Sequence, residues 1–457
     1  MAAEPHALTG EAEVHGHGIG DVLRRPPFSF LLFGQTVSQL GDKLHHMALI
    51  ALVGAGATAN TGGMELAKLS VVFTLPVILF GPLAGALVDR WDKRVTMIIC
   101  DALRASIVAF IPALYTATGH LWTVYFVAFF VFVLGLFFNA AKMALIPELV
   151  ERKQLLAANA ALTSIGRVAT VFGIVGGGVL IGWSIWRRIG WKDYAAGFYM
   201  DSASYVISVV TLVIVSLLTS AHNRRSGEAG VGAATPAGMK RGLGDLVGDV
   251  RATFRLVRKD ETLRFAFGSV LLLAAFASSV YVVMTASVQT VMGMGTRGVG
   301  YLGGLLAVGL IIGSAAMGTV GRRWDKKHTI MLSASLVGSL MVVGGIWFRF
   351  SVFVPIAVVG GAVLGPIMVS QDTLLHEAAP ATGRGLVFST RDLVLGAAFM
   401  ICAFLVGGGI WALGAIGVRE PYRLALAVTG VLICGAGVKG ELSTLRSARA
   451  KRSIAVQ

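Results

Sequence analysis

Charged residues are scarce in this chain of 457 residues. They make up 14% of it, against about 25% in a soluble domain. That excludes a water-exposed surface over most of the molecule. Cysteine is scarcer still: Cys100, Cys402 and Cys434 each sit inside an apolar run. Three isolated thiols build neither a disulfide framework nor a CxxC metal site. They read as small buried apolar residues. No GxxxxGK[ST] stretch occurs, so ATP is not expected as the energy source. No nucleophile–base constellation stands out within the apolar runs, which weighs against an enzyme. No cleavable signal is evident. Residues 1–25 are polar and hold His6, His15 and His17 at no tight ligand spacing, so they read as a disordered tail. Phe28 then opens a run too long for a leader.

What replaces charge is hydrocarbon. Apolar residues make up 55% of the chain, mean hydropathy is +0.76, and there are 58 glycines, as where membrane helices pack closely. Apolar runs fall near 28–54, 68–88, 95–117, 121–145, 160–185 and 198–218, then near 265–290, 299–320, 329–348, 352–375, 386–414 and 422–438. Each approaches the roughly twenty residues that cross ~30 Å of hydrocarbon as a helix. The pattern predicts an all-α membrane protein of twelve transmembrane helices in two pseudo-symmetric six-helix bundles, 28–218 and 265–438. A tail, 1–27, precedes them. A polar linker, 219–264, joins them and carries a surface helix from Leu243 to Val257. A basic tail, 439–457, follows.

The 39 Lys and Arg exceed the 24 Asp and Glu, giving net +15. This does not point to nucleic acid. With both termini cytoplasmic, most positive charge falls on the cytoplasmic side, as the positive-inside bias requires. Arg187, Arg188 and Lys192, after the fifth run, go against that bias. The expected location is a plasma (inner) membrane of bacterial type, crossed many times, with the protein a monomer.

The stretch Gly85-Ala-Leu-Val-Asp89-Arg90-Trp91-Asp92-Lys93-Arg94 separates the second and third runs. It recurs between the eighth and ninth as Gly318-Thr-Val-Gly-Arg322-Arg323-Trp324-Asp325-Lys326-Lys327. Gly85, Arg90, Trp91, Asp92 and Lys93 match Gly318, Arg323, Trp324, Asp325 and Lys326. A charged turn repeated in register in two apolar halves marks a duplicated membrane bundle.

These residues resemble a known family. Gly85-x-x-x-Asp89-Arg90-x-Asp92-Lys93-Arg94 is similar to the loop 2–3 signature of the major facilitator superfamily, with Asp92 where the family usually has glycine. Ile146-Pro147-Glu148-Leu149 with Leu155-Leu156-Ala157-Ala158-Asn159-Ala160 resembles the loop 4–5 region of one subgroup. So do Ser38-x-x-Gly41-Asp42, Asp201-x-x-Ser204 and Pro380-x-x-x-Arg384-Gly385-x-Val387-Phe388-Ser389. That subgroup contains macrolide and siderophore exporters and is related to lysophospholipid flippases. The resemblance implies two six-helix bundles around a central cavity, working by alternating access. It also implies a conformational latch at Gly85, Asp89, Arg90, Lys93, Arg94, Arg323 and Asp325. Asp89 would meet the amino end of the eleventh span when the cavity faces out, where a helix dipole favours a carboxylate. Gly173-Ile174-Val175-Gly176-Gly177-Gly178 resembles the family's span 5 antiporter signature, with Ile174 replacing its proline and Ala169 an upstream glycine.

The first run is the least apolar. On a helical wheel Gln35, Gln39, Asp42 and His46 share one face, and Ser38, Lys43 and His45 widen it. A carboxylate at mid-bilayer costs about 2.5–3.5 kcal/mol on insertion scales, so it requires a cavity or a partner. Asp42 is therefore a candidate site for a proton or cation, with His45 or His46 as proton partners. The alternative is a buried cluster in which Lys43 or an arginine from another span neutralises Asp42. Adjacent histidines point about 100° apart on a helix, and no second cluster completes a metal site. Arg104 with Asp101, Arg167, Asp372, and the pair Arg391–Asp392 are further candidates for substrate or proton binding. Lys142 reads as a snorkelling residue. Being adjacent, Arg391 and Asp392 are each expected to need a separate partner.

The expected activity is proton-coupled export of an amphipathic small molecule, with no cofactor. A lysophospholipid flippase is the alternative; it requires a cationic cavity, for which Arg104, Arg167 and Arg391 are available. Divalent-metal transport and a transport-dead membrane sensor are further alternatives. The linker and tail are short for a signalling domain.

Overall fold

The computed structural model describes residues 19–226, 243–321, 324–380 and 384–455. Most of the first tail and of the linker, and Arg323 of the second turn, lie outside the described residues. Within them the chain forms long helices and no strand. The first half holds span 1 (Pro26–Gly56), span 2 (Gly62–Val88), span 3 (Lys93–Thr118), span 4 (Leu121–Leu149), span 5 (Leu155–Ile181) and span 6 (Asp193–Ser226). A linker helix, Leu243–Lys259, leads into span 7, which starts as Glu261–Ser279 and continues through π-helical stretches at Val280–Met284 and Ser287–Val291. Span 8 (Gly295–Thr319), span 9 (Lys326–Ile346), span 10 (Phe350–Ala378), span 11 (Arg384–Ala415) and span 12 (Pro421–Ala455) complete the set.

Several helices outrun their apolar segments. Span 6 continues through Ser226, and span 12 runs to Ala455 through what the sequence suggests is a tail. No proline or glycine interrupts the stretch after Gly440, and its Glu, Leu, Arg, Ala and Lys are good helix formers. Among the described residues, eleven helices are long and apolar enough to cross a membrane. Span 1 is the exception, because its polar face lowers its hydropathy even at a length of 31 residues.

The two halves repeat one packing scheme. Span 3 packs on spans 4 and 6, span 2 on span 4, and span 1 on span 5. Correspondingly, span 9 packs on spans 10 and 12, span 8 on span 10, and span 7 on span 11. The repeated turn supplies one local reason. Asp92 accepts a hydrogen bond from the Val95 amide at 2.8 Å and caps span 3, while Asp325 accepts from the His328 amide at 2.8 Å and caps span 9. Each satisfies one of the free amides that every helix start leaves. Lys93 then faces Glu148 at the end of span 4 (3.6 Å), and Lys326 faces Glu377 at the end of span 10 (2.7 Å). Replacing either aspartate with alanine is expected to cost about 1 kcal/mol. The check is the thermal midpoint in detergent; unchanged midpoints in both variants would contradict a capping role.

The halves meet along spans 2 and 11 and along spans 5 and 8. They come into close backbone contact at the end away from the linker. There Gly178 and Gly300 pack backbone to backbone, and a Cβ on Gly300 would fall 2.6 Å from the Gly178 Cα. Only glycine at both positions permits this contact. At the same end the Tyr422 hydroxyl donates to the Ala59 carbonyl at 2.6 Å, and Gln289 donates to the Ile50 carbonyl at 3.2 Å. At the linker end Gly85 and Gly318 face open space, and Asp89 and Arg90 are exposed. These contacts hold the halves together at the end away from the linker.

Candidate functional site

Three helices of the first half deliver one buried polar cluster. On span 1, Asp42 and His45 are one turn apart. On span 3, Asp101 and Arg104 share a face at i,i+3, and on span 6, Asp201 and Tyr205 do so at i,i+4. Arg104 is the hub. Its guanidinium donates to Asp42 Oδ1 at 2.6 Å, to Asp101 Oδ1 at 3.1 Å and to the Tyr205 hydroxyl at 2.5 Å. That hydroxyl in turn donates to Asp42 Oδ1 at 2.5 Å, and the guanidinium lies 4.0 Å from the Tyr205 ring centroid. His45 Nδ1 lies 3.2 Å from Asp201 Oδ2. Gly41 lets span 6 come this close, since a Cβ there would fall 2.6 Å from Asp201 Oδ1.

Exposure divides the cluster. The Asp42 side chain retains 31% of its accessible surface, Arg104 8%, His45 2%, and Asp101 and Asp201 none. Asp42 is the carboxyl that water reaches. The others lie behind it, Arg104 hydrogen-bonded to Asp101 and His45 facing Asp201.

The remaining span 1 candidates separate. His46 donates to the Asp42 backbone carbonyl at 2.6 Å, and its ring packs on Phe73 and Phe132. Neither histidine touches the Asp42 carboxyl; an arginine from span 3 does. Gln35 is buried with its amide nitrogen unpartnered, and Gln39 is half-buried beside Gly166 of span 5. The Arg167 side chain lies outside the described residues. Lys142 does not snorkel. It is buried and donates to Asn139 at 2.7 Å.

The second half holds a smaller cluster. Arg391 donates to Gln371 Oε1 at 3.1 Å and sits 3.3 Å from Asp372 and 2.9 Å from Asp392. Gln371 donates to Ser269 at 2.8 Å. The neighbours Arg391 and Asp392 thus pair with each other, where separate partners are expected from their helical positions. The long guanidinium arm folds back across the intervening angle.

Between the halves lies a cavity of about 790 Å³. Met47 of span 1 and Phe73 of span 2 form one wall. Spans 7 to 12 form the other, with Tyr281, Phe353 and Phe399 among the aromatic rings. Among the described residues that line it, Asp392 alone is charged.

Of the residues that the resemblance places in a latch, Lys93 and Arg94 pair with Glu148 at 3.6 and 3.8 Å, Asp325 caps span 9, and Asp89 and Arg90 stand exposed at the linker end. Trp91 stacks on Phe137 of span 4.

The model of the Major Facilitator Superfamily matches residues 31–398. The chain belongs to the major facilitator superfamily. It is a multi-pass membrane protein. Among curated superfamily relatives, an uncharacterized MFS-type transporter, YfiS of Bacillus subtilis (strain 168), is 29% identical over 40% of this chain and 40% of its own. Macrolide efflux protein A of Streptococcus pyogenes is 29% identical over 40% of this chain and 43% of its own. The chain thus spans about two fifths of the length of these relatives. Among solved superfamily structures, a bacterial homologue of the iron transporter ferroportin in an inward-facing state aligns with TM-score 0.63 at 15% identity, covering 91% of this chain and 98% of that one. A bacterial homologue of the human lysosomal transporter Spinster, inward-facing and unoccupied, aligns with TM-score 0.62 at 12% identity, covering 91% and 93%. At these identities the likeness is one of fold.

The sequence leaves several residues of the cluster and cavity unmarked. Tyr205 has a findable signal, four residues after Asp201 in the motif that resembles the subgroup. Tyr281 and the π-helical stretches of span 7 have none, because an apolar run carries no mark of its hydrogen-bond register.

Proposed function

We propose that this protein exports an amphipathic small molecule from the cytoplasm in exchange for protons, with both termini cytoplasmic. The supporting observation is Asp42: a partly exposed carboxyl at the head of a buried cluster in which Asp42 and Asp101 flank one guanidinium and Asp201 faces His45. If all were ionised, the set would carry excess negative charge in a site that does not solvate it, at several kcal/mol per ion. Such a cluster is suited to take up and release a proton as its surroundings change. Protonating Asp42 weakens its hold on Arg104 and Tyr205, and through them the register of spans 1, 3 and 6. In this orientation the linker end faces the cytoplasm, the side from which the cavity would load substrate. The exposure of Asp89 is consistent with a latch undone in that state.

The cavity favours a drug-like amphiphile over a lysophospholipid. A phosphate needs free positive charge, and Arg104 and Arg391 are each engaged by two carboxylates. The name of the macrolide efflux relative points in the same direction. In proteoliposomes with an imposed pH gradient, a cationic dye is expected to accumulate and labelled lysophospholipid to remain in its leaflet. Lysophospholipid movement indifferent to the gradient would contradict the export reading.

A further inference from the structure

We infer that the central cavity selects amphiphiles bearing one positive charge, and that the Asp372–Arg391–Asp392 cluster sets this preference. The inference rests on the export reading above, because it takes the cavity to be where the cargo sits. The first observation is charge placement. Two carboxylates flank one guanidinium, leaving one net negative charge. The Arg391 side chain is 13% exposed, while Asp372 and Asp392 are 50% and 65% exposed. The base is turned inward, toward Gln371 and Ser269, and the acids outward. Asp392 reaches the cavity wall; Arg391 does not.

The second observation is the rest of that wall. Apart from Thr74 and Thr285 it is aliphatic and aromatic, so a bound cation meets Asp392 as the one charge there among the described residues. Tyr281 and Phe399 have ring centroids 5.6 Å apart, and Phe73 is 6.4 Å from Tyr281. Such faces add attraction for an organic cation. An anion of the same shape would meet Asp392 with no uncommitted base among the described lining residues.

The third observation is Tyr281 itself. Its ring lines the cavity, yet its hydroxyl is shielded and has no partner. A buried hydroxyl without a hydrogen bond is costly and uncommon. It lies in the π-helical stretch Val280–Met284, a distortion that often marks functional positions. A turn of the ring toward the cavity would bring that hydroxyl within reach of cargo with a hydrogen-bonding oxygen or nitrogen beside its apolar body.

The test uses tetraphenylphosphonium and tetraphenylborate, which share shape and size and differ in sign. Binding to the purified full-length protein is measured by calorimetry in one detergent. The wild type is expected to bind the phosphonium at least about tenfold more tightly than the borate, a gap of ~1.4 kcal/mol. Asp392→Asn should remove most of that gap by weakening the phosphonium, and Asp392→Glu should retain it. The borate serves as the folding control, since its affinity should not fall in either variant. Asp372→Asn gives a second reading on the same cluster and should narrow the gap in part. Equal affinities in the wild type, or an undiminished gap in Asp392→Asn, would overturn the charge assignment and leave the export reading standing. Absence of saturable binding by either ion would overturn both the assignment and the cavity's place in export.

Discussion

Asp42→Asn should uncouple the transporter. Asparagine keeps the shape of the carboxyl and still accepts hydrogen bonds from Arg104 and Tyr205, which contact Oδ1 at 2.6 and 2.5 Å. It cannot exchange a proton, so the cluster is held in one charge state. Movement of cargo down its own gradient should continue. Uphill movement driven by a pH gradient should be lost. Coupling between two sites is typically about 1–3 kcal/mol, or about 5–150-fold. The ratio of gradient-driven to gradient-free initial rates should therefore fall toward one. An unchanged ratio would contradict the role of Asp42. A parallel fall in both rates would place the residue in folding or cargo binding instead.

Arg104→Leu should be the most destabilising single change in the first half. Breaking a buried ion pair by removing one partner costs about 3–5 kcal/mol, because the remaining charge stays buried and uncompensated. Here the loss leaves Asp42, Asp101 and Asp201 facing one another, two of them with no exposed surface. The thermal midpoint in detergent should drop by many degrees. Adding Asp101→Asn to the leucine variant should recover part of the loss, since one uncompensated carboxyl is then removed. A midpoint within error of wild type for Arg104→Leu would mean the cluster is held by packing alone.

Much of this was legible in the amino-acid order. Apolar runs mark the helices because hydrocarbon penalises every charge. Span 1 stands out because it violates that rule on one face, at Gln35, Asp42, His45 and His46. The Trp-Asp-Lys repeat announces the duplication, and each aspartate proves to be a helix cap, which accounts for its recurrence in register. The local pair Arg104–Asp101 was legible from its i,i+3 spacing, and an arginine from another span stood among the possible partners of Asp42, but which arginine was not legible. Asp42 meets Arg104 at 62 positions' separation and Tyr205 at 163. Either histidine beside Asp42 was the nearer choice by sequence, yet one turns to Asp201 and the other to its own helix backbone. Arg391 and Asp392 were expected to diverge, because backbone direction says nothing of how far an arginine side chain can fold back. The cavity was invisible for a different reason: its wall residues are chemically the same as those that face lipid.

The most direct test of proton-coupled export is to drive protons with cargo. Proteoliposomes with a trapped pH-sensitive dye are given an outward or inward gradient of a transported amphiphile and no initial pH difference. Proton-coupled exchange predicts that wild-type vesicles develop a pH difference whose sign reverses with the cargo gradient, and that Asp42→Asn vesicles do not. Cargo flux in wild-type vesicles without any pH change would contradict it.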